Sequence, residues 1–279
     1  MHTLNRFVFG ALVGTLATGC GAPRASPIAG DVSSVLERGI ADGTGSFDHS
    51  AWDELLVAYA RDGGRRFDYA GLKQDEEKFE AYLSRLASAD LGSLAADEIQ
   101  TLFLNAYNAY IVRDIFEHVN EDGSYEIASI RDIPDVFKRE THVVGGFELS
   151  LDNMEHNILR PIFKDPRVHF AVNCASSSCP PLPVRAFEAA RLDAQLDEVA
   201  KTTLSDPDYI SVEDGALLVT KIMEWYGGDF VNPEFKGSEK TLQAYIAKYS
   251  TEKVTSFIEE NGENLTVRFR NYDWALNRP

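Results

Sequence analysis

Residues 165–182 read Asp-Pro-Arg-Val-His-Phe-Ala-Val-Asn-Cys-Ala-Ser-Ser-Ser-Cys-Pro-Pro-Leu. Asp165-Pro166 breaks the chain. Val168 to Asn173 has the length and apolar content of a short buried strand. Cys174 to Pro183 is a loop rich in Ser and Pro, and Pro183 is placed to open a helix over 184–204. A strand that feeds a small-residue loop before a helix presents a side chain at a sheet edge, near free backbone N–H groups. A thiol in that position is lowered in pKa and becomes a nucleophile. Cys174 stands at the strand end and is the candidate. Two other readings stay open. An oxidising compartment allows a Cys174–Cys179 disulfide across four intervening residues, or both thiols are inert. Strand alternation puts residues 169, 171 and 173 on one face and 168, 170, 172 and 174 on the other. His169 and Cys174 then point apart unless the chain turns at Asn173, so a structural, hydrogen-bonded His169 competes with a catalytic one.

Upstream of this stretch, Ser150 and Asp152 are placed to cap a helix running through Asn153 to Phe163. It carries Glu155 and His156. Adjacent helix positions diverge by about 100°, so the pair cannot aim at one point, and a solvated face is the plain alternative. Residues 95–119 form the longest helical candidate, with Ile99, Phe103, Ala106 and Tyr110 on one stripe. Asn105 and Asn108 lie three apart inside it. Asn is a poor helix-interior residue, so two of them amid apolar neighbours predict a buried polar network. That network either orients a catalytic group or satisfies the backbone of a neighbouring loop.

Further outward, the spacing of Trp52, Leu55, Leu56 and Tyr59 predicts a helix over 51–61, and 73–87 repeats the pattern. Gly145-Gly146 and Asp214-Gly215 between apolar runs predict hairpins. Residues 239–248 read as a helix and 265–270 as a strand. The expected fold class is α+β: a helix-rich single domain over 50–279 with a small, mostly antiparallel sheet.

The N-terminus reads MHTLNRFVFGALVGTLATGCGAP, with Arg6 ahead of an eleven-residue apolar run from Phe7 to Ala17. The run is too short to span a bilayer and has the form of a secretory signal. Leu16-Ala17-Thr18-Gly19-Cys20 resembles a bacterial lipoprotein signal, with Cys20 as the lipidated residue; an ordinary signal peptide is the alternative. Residues 1–19 are then the signal peptide and 20–49 a flexible tether rich in Gly, Ala, Ser and Pro. The expected address is the bacterial cell envelope, at the outer membrane in a diderm host, with the membrane as partner through lipid on Cys20. The chain of 279 residues has 27 Lys+Arg against 44 Asp+Glu, a formal charge of −17. Such a surface repels phosphate backbones and argues against nucleic acid as a partner. The sequence has no Walker A, no G-x-G-x-x-G, no G-x-S-x-G and no H-E-x-x-H. No metal or cofactor is expected.

Separated blocks of the chain together resemble the domain of unknown function 547 family. They are Trp52–Leu56 with Phe67–Leu72; Leu104–Ala109; Leu149–Arg160; Asp165–Leu182; Lys221–Tyr226 with Asp229-Phe230; and Tyr272–Asn277. The blocks cover roughly residues 50–277. The resemblance implies an exported or lipid-anchored bacterial protein. It implies that the position of Cys174 is shared more widely than that of Cys179, which favours Cys174 as a nucleophile over an obligatory disulfide. It also includes the positions of Asn105, Glu155 and His169. By analogy, the architecture expected is papain- or transglutaminase-like.

The expected function is thiol-dependent hydrolysis or transfer at an acyl or amide carbon. Cys174 attacks, His169 or His156 is the base, Glu155 or Asn105 orients it, and backbone N–H groups of residues 175–179 form the oxyanion hole. The rival is a non-catalytic structural or binding lipoprotein with a Cys174–Cys179 disulfide. A thiol–disulfide redox pair is a third reading, although the spacing is not C-x-x-C. Substrate and protein partner are not specified by the sequence.

Overall fold

The computed structural model describes residues 26–28 and 30–279. The signal peptide, Cys20 and the start of the tether therefore lie outside the described residues. At the centre stands α4 (Ala96–Phe116). Its apolar residues are spread around the whole helix axis, and nearly all of them are buried. A helix with no polar face must be covered on every side. The cover is α1 (Gly30–Asp42), α3 (Glu76–Ala87) and a π-helical segment, Asn153–Leu159, continued by α5 (Arg160–Phe163). Before α3 come α2 (Ser50–Tyr59) and two paired two-residue strands, β1 (Ala60–Arg61) and β2 (Arg66–Phe67).

The tether expectation fails from Gly30 onward. Val32, Leu36 and Gly39 of α1 are buried against the core. Their spacing at about one turn makes a helix face, which a count of small residues over the segment hides.

Both hairpins are present. β3 (His142–Val144) pairs with β4 (Phe147–Leu149), and β5 (Ile210–Glu213) with β6 (Ala216–Val219), all antiparallel. Asp214 and Gly215 have φ of 49° and 69°, the positive-φ pair that a two-residue turn between right-twisted strands requires. β7 (Val267–Phe269) joins β6 in parallel. The chain is thus an α+β domain about 52% helical, with three small sheets among the described residues rather than one.

A larger apolar cluster surrounds α4, and a second is built from α7 (Leu192–Leu204), β5–β6, α10 (Leu242–Tyr249) and α11 (Glu252–Asn261). The segment 168–173 joins them: Val168, Ala171 and Val172 pack into the first cluster and Phe170 into the second.

That segment corrects the expected strand. Val168–Ala171 is one helical turn, α6, and the chain is extended only from Val172. A short apolar run does not distinguish strand from buried helix. What decides here is the start: Asp165 accepts the Arg167 N–H on Oδ1 at 3.0 Å and the Val168 N–H on its carbonyl at 3.2 Å, with Pro166 in the opening turn. The helix expected from Val184 begins only at Leu192, after a 3-10 turn at Ala189–Arg191. Residues 186–188 are held by side chains from elsewhere. Asn105 bonds both the N–H and the carbonyl of Phe187, at 2.9 and 3.0 Å. Asp53 takes the Ala186 N–H, and Gln195 bonds Ala186 and Glu188.

His49 is buried against Tyr82, with Nδ1 2.8 Å from the phenol oxygen and Nε2 without a partner. Burial pushes its pKa down from 6.5 to about 4. The unfolded chain then takes up a proton more readily than the folded one as pH falls below 6.5. Stability should drop by about 2–3 kcal/mol between pH 7 and 4.5. Urea unfolding of wild type and His49→Gln at both pH values tests this: the variant should lose that much of the acid-side slope, and an unchanged slope refutes the assignment.

Candidate functional site

The loop after α6 is set by asparagines. Asn108 of α4 donates to the Ala171 carbonyl and accepts the Asn173 N–H, both at 2.9 Å. Asn173 accepts the Ala175 N–H at 2.7 Å and donates to the Pro180 carbonyl at 2.7 Å. The chain therefore turns sharply between them, and Ala175 is left at φ 58°. Positive φ in a buried residue with a Cβ is strained and persists only where its surroundings impose it. The C-terminal segment supplies them: Asn277 bonds Ala175 through its N–H, Ser177 bonds Ala275, and Ser178 bonds Asp273. Tyr69 in turn holds the Asn277 side chain at 2.6 Å.

This geometry aims Cys174 Sγ into a small polar cluster. Cys179 Sγ is 2.8 Å away, Tyr272 Oη 3.0 Å and Ser176 Oγ 3.1 Å. The two sulfurs are not bonded. Ser176 Oγ donates to Tyr272 Oη at 2.8 Å, which directs the Tyr272 proton at the sulfur. Burial pushes the Cys174 thiol up, but hydrogen bonds with Cys179, Ser176 and Tyr272 outweigh it and hold it below its ordinary value, at about 7. Burial pushes Cys179 the other way, to remain a thiol. Cys174 is thus the more acidic of the two thiols.

The 175–179 loop does not offer the expected oxyanion hole as a set of free amides. Four of its five N–H groups are already engaged: Ala175 with Asn173, Ser177 with Ala275, Ser178 with Asp273 and Cys179 with Ser176. Tight-turn loops satisfy their own amides, which a reading by strand, loop and helix order does not register.

Beside the thiol lies a cavity of about 300 Å³ whose walls include Cys174, Cys179, His169, Glu155 and His156. Four of the five residues proposed as catalytic from sequence thus meet around one space. Asn105 does not: its carboxamide is spent on Phe187, the structural branch of the expectation. Nor do His169 and Cys174 form a hydrogen-bonded dyad. Among the described residues, no histidine nitrogen reaches the sulfur.

His169 is tied instead to Asp229, of α9 (Gly227–Val231), through Nε2 at 2.8 Å. Its Nδ1 faces Glu155 Oε1 at 3.6 Å. Its ring stacks on Tyr226, with centroids 4.0 Å apart and planes at 14°. Arg160 grips Asp229 with two nitrogens at 2.8 and 3.1 Å and covers the same Tyr226 ring. Burial raises Asp229, but His169 and Arg160 outweigh it and leave it at about 2. Burial likewise raises Glu155, and His156, His169 and Arg160 bring it below the ordinary carboxyl value. His156 Nδ1 accepts from Arg160 at 3.2 Å, so its proton is on Nε2. Burial lowers its pKa.

The residues sequence reasoning missed come from far along the chain. Tyr226, Trp225, Tyr272 and Trp274 line the cavity, and the rings of the last three pack on one another. Their aromatic blocks stand out in the sequence, but with no sign of what they face. Asp152, expected as a helix cap, makes no capping bond. Ser150 and Asn153 bond reciprocally instead, each backbone N–H to the other's side chain at 3.0 Å. The Asp152 carboxyl is free to line the cavity. Burial, with Glu155 nearby, raises it to about 6.

Residues 91–203 match the model of a family described as protein of unknown function, DUF547. The match runs from α4 into α7 and includes Glu155, His156, His169, Cys174 and Cys179. Tyr226, Asp229 and Tyr272 lie beyond it. No curated protein and no solved structure matches the chain.

Proposed function

We propose that the domain is a thiol-dependent acyl or amide hydrolase or transferase with Cys174 as its nucleophile, carried on a lipid-anchored protein of the bacterial envelope. The observation that carries the reading is the low-pKa Cys174 sulfur at the wall of a cavity, surrounded by donors that stabilise the thiolate. The lipoprotein-like signal ending at Cys20 supports the anchoring and the address.

Attack requires no separate base, because a thiol near pKa 7 is about half ionised at neutral pH. The sulfur bonds to the acyl carbon and the carbonyl π pair moves to oxygen. Sulfur loses its charge in that step, so the Tyr272 hydroxyl is released from it and is the donor available to the oxyanion. Collapse expels the leaving group, which takes up a proton from water, and leaves a thioester on Cys174. Water or a second nucleophile then resolves it. His156, whose Nε2 carries the free N–H, or His169, oriented by Asp229, is the group for proton transfer in that half.

The test is acylation by p-nitrophenyl acetate. Mass spectrometry should find the acetyl group on Cys174, with a rate that rises through pH about 7, because only the thiolate reacts. Cys174→Ser should lower labelling at least about a hundredfold. Labelling unchanged in that variant refutes the proposal.

A second reading rests on the 2.8 Å separation of Cys174 and Cys179. Oxidation to a disulfide would make the site structural in an exported protein. A thiol count on denatured, unreduced mature chain separates the two: two free thiols support the nucleophile, and none supports the bridge.

A further inference from the structure

Asp152 is an anomaly among the carboxylates around the cavity. Glu155 has His156 and His169 within 3.7 Å, and Asp229 has Arg160 and His169. Asp152 is 8% exposed, and among the described residues no hydrogen-bond donor reaches either of its oxygens. Its closest basic group is His156 Nε2 at 3.9 Å. Lys138 favours its ionised form from beyond ion-pair distance. A carboxyl buried to that degree is normally paired. This one instead contributes to the cavity wall. Around it the wall is aromatic, with Trp225, Tyr226 and Trp274, whose faces attract cations. The charge balance has the same sign. Asp152, Glu155 and Asp229 are three carboxylates against one guanidinium, Arg160, which is spent on Asp229.

We propose that the cavity binds a substrate bearing a cationic amine, the ammonium group seated on Asp152 and the acyl carbon at Cys174. The second half rests on the proposed acyl chemistry; the amine site stands without it. A small apolar chain between ammonium and carbonyl would lie along the aromatic wall, so the substrate class is an amino-acyl or aminoalkyl compound rather than an acidic one.

Trp225 and Trp274 make tryptophan fluorescence a readout of the cavity itself. Full mature chain is titrated at pH 7.5 with n-pentylammonium chloride and with n-pentanol, matched in length. Wild type should bind the ammonium at least about tenfold more tightly than the alcohol, as a charge-assisted hydrogen bond dictates. Asp152→Asn should lose that preference, bind the alcohol as before, and melt at a temperature close to wild type. The preference should also fade below pH about 6 as Asp152 protonates. Equal affinity for the two probes, no saturable ammonium binding, or an unchanged preference in Asp152→Asn overturns the proposal. Cys174→Ser separates it from the catalytic reading: retention of the ammonium preference without acylation by p-nitrophenyl acetate supports both. Ammonium preference in a wild-type chain that is not acylated leaves the amine site standing and removes the catalytic reading.

Discussion

Asn108→Leu should lower the free energy of unfolding by about 2–6 kcal/mol. The side chain is 2% exposed and makes two hydrogen bonds, to the Ala171 carbonyl and from the Asn173 N–H. Leucine nearly conserves the volume, so the cost is not a cavity. It is the desolvation of two buried backbone groups left without partners, about 1–3 kcal/mol each. Chemical denaturation of wild type and variant measures the loss, and less than about 1 kcal/mol would show that water or a shifted backbone replaces the carboxamide. The effect reaches the thiol as well. Asn173 sets the turn that strains Ala175 and aims Cys174, so the acylation rate at pH 7 should fall in Asn108→Leu even where the protein is fully folded.

Arg167→Met should cost about 3–5 kcal/mol. Arg167 and Asp165 have side chains 6% and 4% exposed, joined through two nitrogens at 2.9 and 2.6 Å. Removing the guanidinium leaves the Asp165 carboxylate buried without its counter-charge, which is far worse than losing a surface pair. The contacts of Arg167 to Asp193 and Asp197 add little, because both carboxylates are largely exposed. A double variant identifies the cause. Adding Asp165→Asn removes the unpaired carboxylate and should recover part of the loss at pH 7. No recovery would mean that Arg167 acts through packing of its stem alone.

These two substitutions act on opposite ends of one segment. Asn108 holds the exit of α6 and Arg167 its entry, so His169 and Cys174 are positioned from both sides. How the sequence reports this segment is instructive. Cys174, His169, Glu155 and His156 are recognisable as residues with chemistry, and all four meet at the cavity. Their relation is not recognisable. The apolar run Val168–Asn173 has no periodicity long enough to separate strand from helix, so a side-by-side parity argument starts from the wrong backbone. The oxyanion hole fails for a related reason. Whether an amide is free depends on Asn173, Asp273 and Ala275, and the last two arrive from about a hundred residues away. The delayed start of α7 has the same origin, since Asn105 and Asp53 hold the backbone at 186–187 before the helix can begin.

The sequence by itself determined what is local. It set the long helix α4, the Gly-Gly and Asp-Gly hairpins, the helix-rich α+β class and the acidity that argues against nucleic acid. These depend on spacing within one or two turns, on φ preferences, or on composition. Only the tertiary structure decided which groups meet: Cys179 and Tyr272 at the Cys174 sulfur, Asp229 on His169, and Asp152 left, among the described residues, with no basic group nearer than His156 at 3.9 Å. The physical reason is that ionisation and hydrogen bonding are set through space, by neighbours within about 4 Å and by the loss of water around them. In this chain those neighbours are separated by as many as 98 residues.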